Sequence, residues 1–301
     1  MPSKVFLIAF TILAAQLSGM MDAAESSIVV DVESGVILLS KDPDSKRQVA
    51  SLTKVATALV ALEWLDKNEM SWEVEITVSP EAVSGGVNPL AMRAGDRLSL
   101  ESALLAAMMA SDNTSAYAVA EFIGGKMQGG VTGSEAVKIF VQAINREVEA
   151  LGLKDTRFVN PHGLDEGNEL GISTAADMAL LAICALEHPK FLSLCSMKMV
   201  EIEIERGRDS LVKTVRNTND LIGSRGIDGM KTGTTGRSGP CLIATAVAGN
   251  EDAGRLVTVV LNAEDRFRET VLLLSRGWEE RRRLESQGSP VTNRRLLSPA
   301  K

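Results

Sequence analysis

A serine followed three positions later by a lysine occurs three times in the chain, at Ser51/Lys54, Ser210/Lys213 and Ser298/Lys301. On a helix, positions i and i+3 share a face one turn apart, so the amine can reach the hydroxyl. A lysine in an apolar setting, or beside another cation, has its pKa pushed down and can accept the serine's proton. Context separates the three pairs. Ser298 lies in a polar tail. Ser210 lies in a charged stretch between expected strands, where alternation sends the two side chains to opposite faces. Ser51 alone opens an apolar run, Leu52 to Leu65, where the lysine would be desolvated and the hydroxyl would sit at the positive end of a helix. The competing reading is an N-cap serine with a surface lysine.

Two further groups carry chemistry. Ser111-Asp112-Asn113 falls at a break between helical runs and, taken singly, is a helix cap. Lys231-Thr232-Gly233 comes just before a strand expected to begin near Gly239. The stretch Gly226 to Thr232 could be mistaken for a phosphate loop, but its glycine spacing is wrong and no helix follows. The two histidines, His162 and His188, are too few for a His-rich zinc site, and no G-x-S-x-G elbow is present. A nucleophile here needs a base other than histidine, and neither a metal nor an organic cofactor is expected. Cys184, Cys195 and Cys241 cannot all pair within one chain and read as buried thiols. The formal charge of −7 argues against nucleic acid as a partner.

The elements that must position these groups follow from periodicity. Ser27 to Val32 and Val36 to Leu39 read as a hairpin, and Leu52 to Leu65 as a helix apolar all round, which belongs in the middle of a protein. Glu73 to Val78 alternates as a short strand. Helical patterns run from Leu100 to Leu151, interrupted at Ser111 to Asn113 and at Gly124 to Gly133. A further helix is expected over Ser173 to Leu186 with Ser173 as N-cap. Val200 to Ile204, Gly239 to Val247 and Leu256 to Leu261 read as strands, and Arg266 to Leu284 as a closing helix. The expectation is an α+β protein: one sheet assembled from the N- and C-terminal thirds, with a mostly helical subdomain inserted between. At the N-terminus, Lys4 and the apolar run Val5 to Leu17 match a secretory leader. The expected divisions are therefore a signal peptide at 1–24, a catalytic domain at 25–285 and a disordered tail at 286–301.

In this order the three groups make the set S-x-x-K, S-D-N and K-T-G. With it the chain resembles the penicillin-recognising serine enzymes, and more narrowly the D-alanyl-D-alanine carboxypeptidases, the low-molecular-mass penicillin-binding proteins of serine peptidase family S11. Ala50-Ser51-Leu52-Thr53-Lys54, Phe158 to Leu164 (FVNPHGL) and Gly229 to Thr235 (GMKTGTT) all look like that family's sequence blocks, and the likeness spans about residues 25 to 285. It implies the antiparallel sheet and helices of the penicillin-binding-protein and serine β-lactamase fold. It also implies a two-step acyl transfer. Ser51 is the nucleophile, Lys54 its proton acceptor and Ser111 a relay to the leaving amine. Asn113 holds the substrate backbone. Lys231, Thr232, Gly233 and Thr234 form the wall that meets the substrate carboxylate, and the N–H groups of Ser51 and Thr234 hold the oxyanion. An arginine near the start of the last helix, Arg266 with Arg268 as competitor, grips the same carboxylate. His162, Asn160 and Gly163 are read as a supporting loop.

The implied partners are peptidoglycan stem peptides, with β-lactam antibiotics as covalent inhibitors. The expected location is exported, periplasmic or otherwise extracytoplasmic, with no membrane anchor evident beyond the leader. Two rival activities share the motifs. A D,D-endopeptidase would cut peptidoglycan crosslinks. A serine β-lactamase would need a fast deacylating base, and no Glu-x-x-Leu-Asn block lies between Asn113 and Lys231. A non-enzymatic wall-binding module would predict a broken motif set.

Overall fold

The computed structural model describes residues 24–165, 167, 170–249 and 254–287. The leader expected at 1–24 lies outside these residues apart from Ala24, and the tail expected at 286–301 lies outside them apart from Ser286 and Gln287.

Two antiparallel sheets frame a set of helices. The larger has five strands in the order β2-β1-β9-β8-β7, built from β1 (Ala24–Asp31), β2 (Ile37–Lys41), β7 (Ile227–Thr235), β8 (Gly239–Val247) and β9 (Arg255–Ala263). Strand β1 pairs with β9 along nearly its whole length, from Ala24 opposite Ala263 to Asp31 opposite Leu256, so the first and last described strands are neighbours inside the sheet. The period of two is visible in the packing. Ile28 and Val30 enter the main core, whereas Val29 and Val260 face the closing helix α7 (Arg266–Ser286) through Leu273 and Leu274. Strands covered on both faces read as near-continuous apolar runs, which is why β8 and β9 were legible.

Helix α1 (Lys54–Lys67) runs through the centre, with Val55 to Leu62 buried without interruption. Around it stand α3 (Leu100–Met109), α4 (Asn113–Met127), α5 (Gly133–Ala150) and α6 (Ala175–Glu187); the short α2 (Pro80–Ser84) packs against α4. The start of α3 and the break between α3 and α4 are capped by side chains. Ser99 accepts from the Ser102 N–H, and Asp112 accepts from the Ser115 N–H at 2.7 Å.

The single expected sheet is two sheets. Val200 to Ile204 belongs to β5 (Met199–Arg206), which sits in a separate four-stranded sheet, β3-β4-β5-β6, with β3 (Glu75–Thr77), β4 (Arg97–Ser99) and β6 (Asp209–Arg216). The reason is in the side chains. Ile202 and Ile204 are buried while Glu201, Glu203 and Glu205 are exposed, so β5 can be covered on one face only. Strand β6, read as a charged stretch, pairs with β5 from Met199 opposite Arg216 to Arg206 opposite Asp209. The glycine interruption is also shorter than expected. Gly124 stays inside α4 because a methyl there would run into the Ala136 carbonyl of α5; the chain breaks only at 128–132. The cap of α6 is Thr174, whose hydroxyl accepts from the Asp177 N–H at 3.0 Å. Ser173 instead pairs with Arg47 in an isolated bridge and meets the Thr156 hydroxyl at 2.7 Å.

Candidate active site

Ser51 lies in a 3-10 turn, Ala50–Thr53, that leads directly into α1. Residues i and i+3 eclipse one another in a 3-10 turn, and the Lys54 Nζ stands 3.0 Å from the Ser51 Oγ. Lys54 is fully buried and makes two further bonds: 2.7 Å to the Asn113 Oδ1 and 2.9 Å to the His162 carbonyl. Both of those oxygens only accept. A neutral amine has two hydrogens and one lone pair, so its hydrogens go to Asn113 and His162 and the lone pair is left for the Ser51 hydroxyl. The neutral form is the favoured one. Burial pushes the Lys54 pKa well below its usual value, and the Lys231 charge lowers it further; Asp112 opposes both and is the smaller influence.

The loop that supplies the His162 carbonyl is tied to the same helix. Thr57 donates to the Pro161 carbonyl at 2.7 Å, and Asn160 Oδ1 accepts the Gly163 N–H at 2.7 Å while its Nδ2 donates to the Leu164 carbonyl at 2.8 Å. Gly163 has φ +83°, and a side chain there would strike the Ala50 carbonyl, so only glycine lets the loop lie against the nucleophile's turn. Burial lowers the His162 pKa to about 3, which keeps the ring neutral beside Lys54. Its contribution is the main-chain oxygen, a role that residue type alone does not reveal.

The opposite wall is β7. Lys231-Thr232-Gly233 lies inside this strand, not ahead of one, paired with Ile243, Leu242 and Cys241 of β8. Strand β7 is the edge of its sheet, and it packs against the 3-10 turn. A Cβ on Gly233 would stand 2.9 Å from the Val49 carbonyl oxygen and 3.0 Å from the Ser51 nitrogen. Glycine here allows the strand to approach the nucleophile's amide. Lys231 is buried, its Nζ donating to the Thr232 carbonyl at 2.8 Å. Burial, then the nearby Arg266 charge, lowers its pKa to about 7.

Arg266 opens α7 and reaches back to the end of β7. Its Nη1 donates to the Gly233 carbonyl at 2.9 Å and to the Thr234 Oγ1 at 2.7 Å. Arg268 is exposed, and its main-chain N–H closes the helix cap on Asp265. Arg266 is thereby joined to the Lys231 wall.

Ser111 takes a left-handed conformation, φ 59°, in the turn between α3 and α4; Ala50, immediately before Ser51, does the same at φ 47°. Such backbone costs about 1–3 kcal/mol per residue and persists where surrounding structure enforces it. Among the described residues, the Ser111 side chain makes no bond to the other site residues, and its position is set through Asp112 and Asn113. Thr232 and Ser111's turn are instead linked by Thr218, absent from the motif set. Cys184, Cys195 and Cys241 are unpaired and buried, and burial pushes Cys195 up to about 12. No helix among the described residues is long and apolar enough to cross a membrane.

Comparisons with known proteins point to one family. A family model described as D-alanyl-D-alanine carboxypeptidase matches residues 14–265. The D-alanyl-D-alanine carboxypeptidase DacF of Bacillus subtilis is 32% identical, covering 80% of this chain and 57% of its own length. The D-alanyl-D-alanine endopeptidase of Pseudomonas aeruginosa is also 32% identical, covering 73% of this chain and 66% of its own. The chain thus spans less than two thirds of either relative. Among solved structures, penicillin-binding protein D2 of Listeria monocytogenes in its ampicillin-bound form superposes with a TM-score of 0.69 at 29% identity, over 85% of this chain and 97% of that one. The Streptomyces K15 DD-transpeptidase shares the fold, with a TM-score of 0.77 at 24% identity over 85% of this chain and 97% of that one.

Proposed function

The chain belongs to the D-alanyl-D-alanine carboxypeptidase family, and from that premise we propose that it removes the terminal D-alanine from peptidoglycan stem peptides through an acyl-enzyme on Ser51. The observation that carries this reading is the buried Lys54 amine 3.0 Å from the Ser51 hydroxyl, with both of its hydrogens committed elsewhere.

In the proposed reaction, Ser51 Oγ attacks the carbonyl carbon between the two D-alanines as its proton passes to Lys54. The developing oxyanion is held by the N–H groups of Ser51 and Thr234, where one such donor is typically worth about 3 kcal/mol. Collapse breaks the C–N bond. The leaving amine takes its proton from Lys54 through the Ser111 hydroxyl, D-alanine departs, and water resolves the ester. Asn113 orients Lys54 through Oδ1, with its Nδ2 3.5 Å from the Gly85 carbonyl, and is assigned to hold the substrate's peptide backbone. Lys231 and Arg266 supply positive charge for the terminal carboxylate, with Thr232, Gly233 and Thr234 lining that end. β-Lactams fit the same groups, presenting a strained amide to Ser51 and a carboxylate to Lys231. The proposed workplace is outside the cytoplasm, supported by the leader pattern of Lys4 and Val5 to Leu17.

The endopeptidase relative at equal identity supports crosslink cleavage as a second reading. The test is a time course on a D-Ala-D-Ala-ended muropeptide monomer and on a crosslinked dimer. Faster D-alanine release from the monomer, absent in Ser51→Ala, is the expected result. Preferential cleavage of the dimer would assign the endopeptidase activity. Rapid penicillin hydrolysis, with little action on either muropeptide, would point to a β-lactamase.

A further inference from the structure

The segment Asn217–Asn219 passes behind the site and touches both of its walls. Thr218 donates its main-chain N–H to the Met109 carbonyl at 2.9 Å, and Met109 is the last residue of α3, two positions before Ser111. The Thr218 hydroxyl lies 3.2 Å from the same carbonyl and 2.6 Å from the hydroxyl of the buried Thr232. Its neighbours hold the segment still. Asn217 Nδ2 donates to the Cys195 and Met197 carbonyls at 2.8 and 2.9 Å, and Asn219 Nδ2 donates to the Gly229 carbonyl at 3.1 Å. What remains adjustable is the direction of two hydroxyl hydrogens.

The Met109 carbonyl can only accept. When the Thr218 hydroxyl donates to Met109, the bond between the two hydroxyls must take its hydrogen from Thr232, which then has none left to donate elsewhere. A carboxylate beside Lys231 also only accepts. The two rotors can reverse together, so that Thr218 donates to Thr232 and Thr232 donates to the carboxylate. Met109 keeps the Thr218 N–H throughout, so no buried group loses its last partner. The exchange gives up a 3.2 Å bond and gains a charge-assisted one, which is the stronger kind.

Resting on the reading of the site given above, we propose that Thr218 is a positioning residue for recognition of the substrate's terminal carboxylate, holding Thr232 in place and reversing its donor direction when the anion docks. The role is specific to the carboxylate. A merely structural clamp would affect every ligand that acylates Ser51.

The experiment compares Ser51 acylation by benzylpenicillin and by its methyl ester, followed by intact mass in the wild-type protein, Thr218→Val and Thr218→Ser. Valine keeps the shape and removes the hydroxyl; serine keeps the hydroxyl. Thr218→Val should lose about tenfold with the free carboxylate, the worth of one good hydrogen bond, and little with the ester, and Thr218→Ser should recover most of the loss. Equal losses on both compounds would reduce Thr218 to scaffold and overturn the proposal, as would no loss on either. Absence of any Ser51 adduct in the wild-type protein would overturn the reading of the site, and the proposal with it.

Discussion

At Lys54 and Lys231 two buried amines share one cleft, and their environments separate their tasks. Lys54 is lowered by burial and by Lys231, with acceptors waiting for both hydrogens of its neutral form. Lys231 is lowered to about 7 by burial and by Arg266, close enough to neutrality for an arriving carboxylate to hold it charged. The profile of kcat/KM against pH reports the free enzyme. It should rise as Lys54 loses its proton and fall near pH 7 as Lys231 loses its own. Arg266→Ala removes a repulsion from Lys231, so the alkaline limb should move to higher pH even as the value at the optimum drops. An alkaline limb that stays in place would break the link between the two cations. The Ser51/Lys54 pair was legible because its geometry is local, set by three residues of chain. The partners of Lys54 were not. Asn113 was read as a substrate-holding residue, and its Oδ1 bond to the base was not foreseen. His162 acts through a carbonyl that every residue possesses.

At the level of elements, the site is a contact between one turn and one edge strand, and glycines set its closeness. Gly233 brings β7 against Val49 and Ser51, and Gly163 brings the supporting loop against Ala50. Gly233→Ala would force the strand away by a few tenths of an ångström. It should lower acylation by about tenfold or more, since misplacement far smaller than a bond length is costly in a positioned reaction, while thermal unfolding changes little. Gly163→Ala should do worse, because it combines a clash with a left-handed backbone; a variant acylated at the wild-type rate would contradict this account of the turn. From the sequence, Lys231-Thr232-Gly233 read as lying just ahead of a strand that begins near Gly239. Small and polar residues carry little strand signal, and β7 is a strand because β8 lies beside it. Thr218 was illegible for a related reason. Its partners lie on α3 and on β7, and no local pattern encodes that meeting.

Over the whole molecule, the fold class was readable and the number of sheets was not. The N- and C-terminal strands meet as expected, with the helices inserted between, because doubly covered strands and an all-apolar α1 announce themselves. The β5–β6 hairpin shares the alternating pattern of any strand, and only its exposed glutamate face shows that it stands apart. Stability carries a cost of function at Lys231. Its folded-state pKa of about 7 is below the unfolded value of 10.5, so the unfolded state binds more protons between those pH values. That destabilisation is complete below about pH 7 and fades as pH rises toward 10.5. Lys231→Met should therefore raise Tm at neutral pH by about 5 °C, flatten the rise of Tm with pH, and abolish activity. A lower Tm for the variant would show that the burial of this amine is not the cost described.

The central claim is that Ser51 becomes the acylated atom with Lys54 as its proton acceptor. Intact mass spectrometry after brief exposure to a penicillin, followed by peptide mapping, tests it most directly. The account predicts one adduct per chain, on the peptide containing Ser51, forming at least about a hundredfold more slowly when Lys54 is replaced by methionine. An adduct on any other residue, or one that forms as fast without the Lys54 amine, would contradict it.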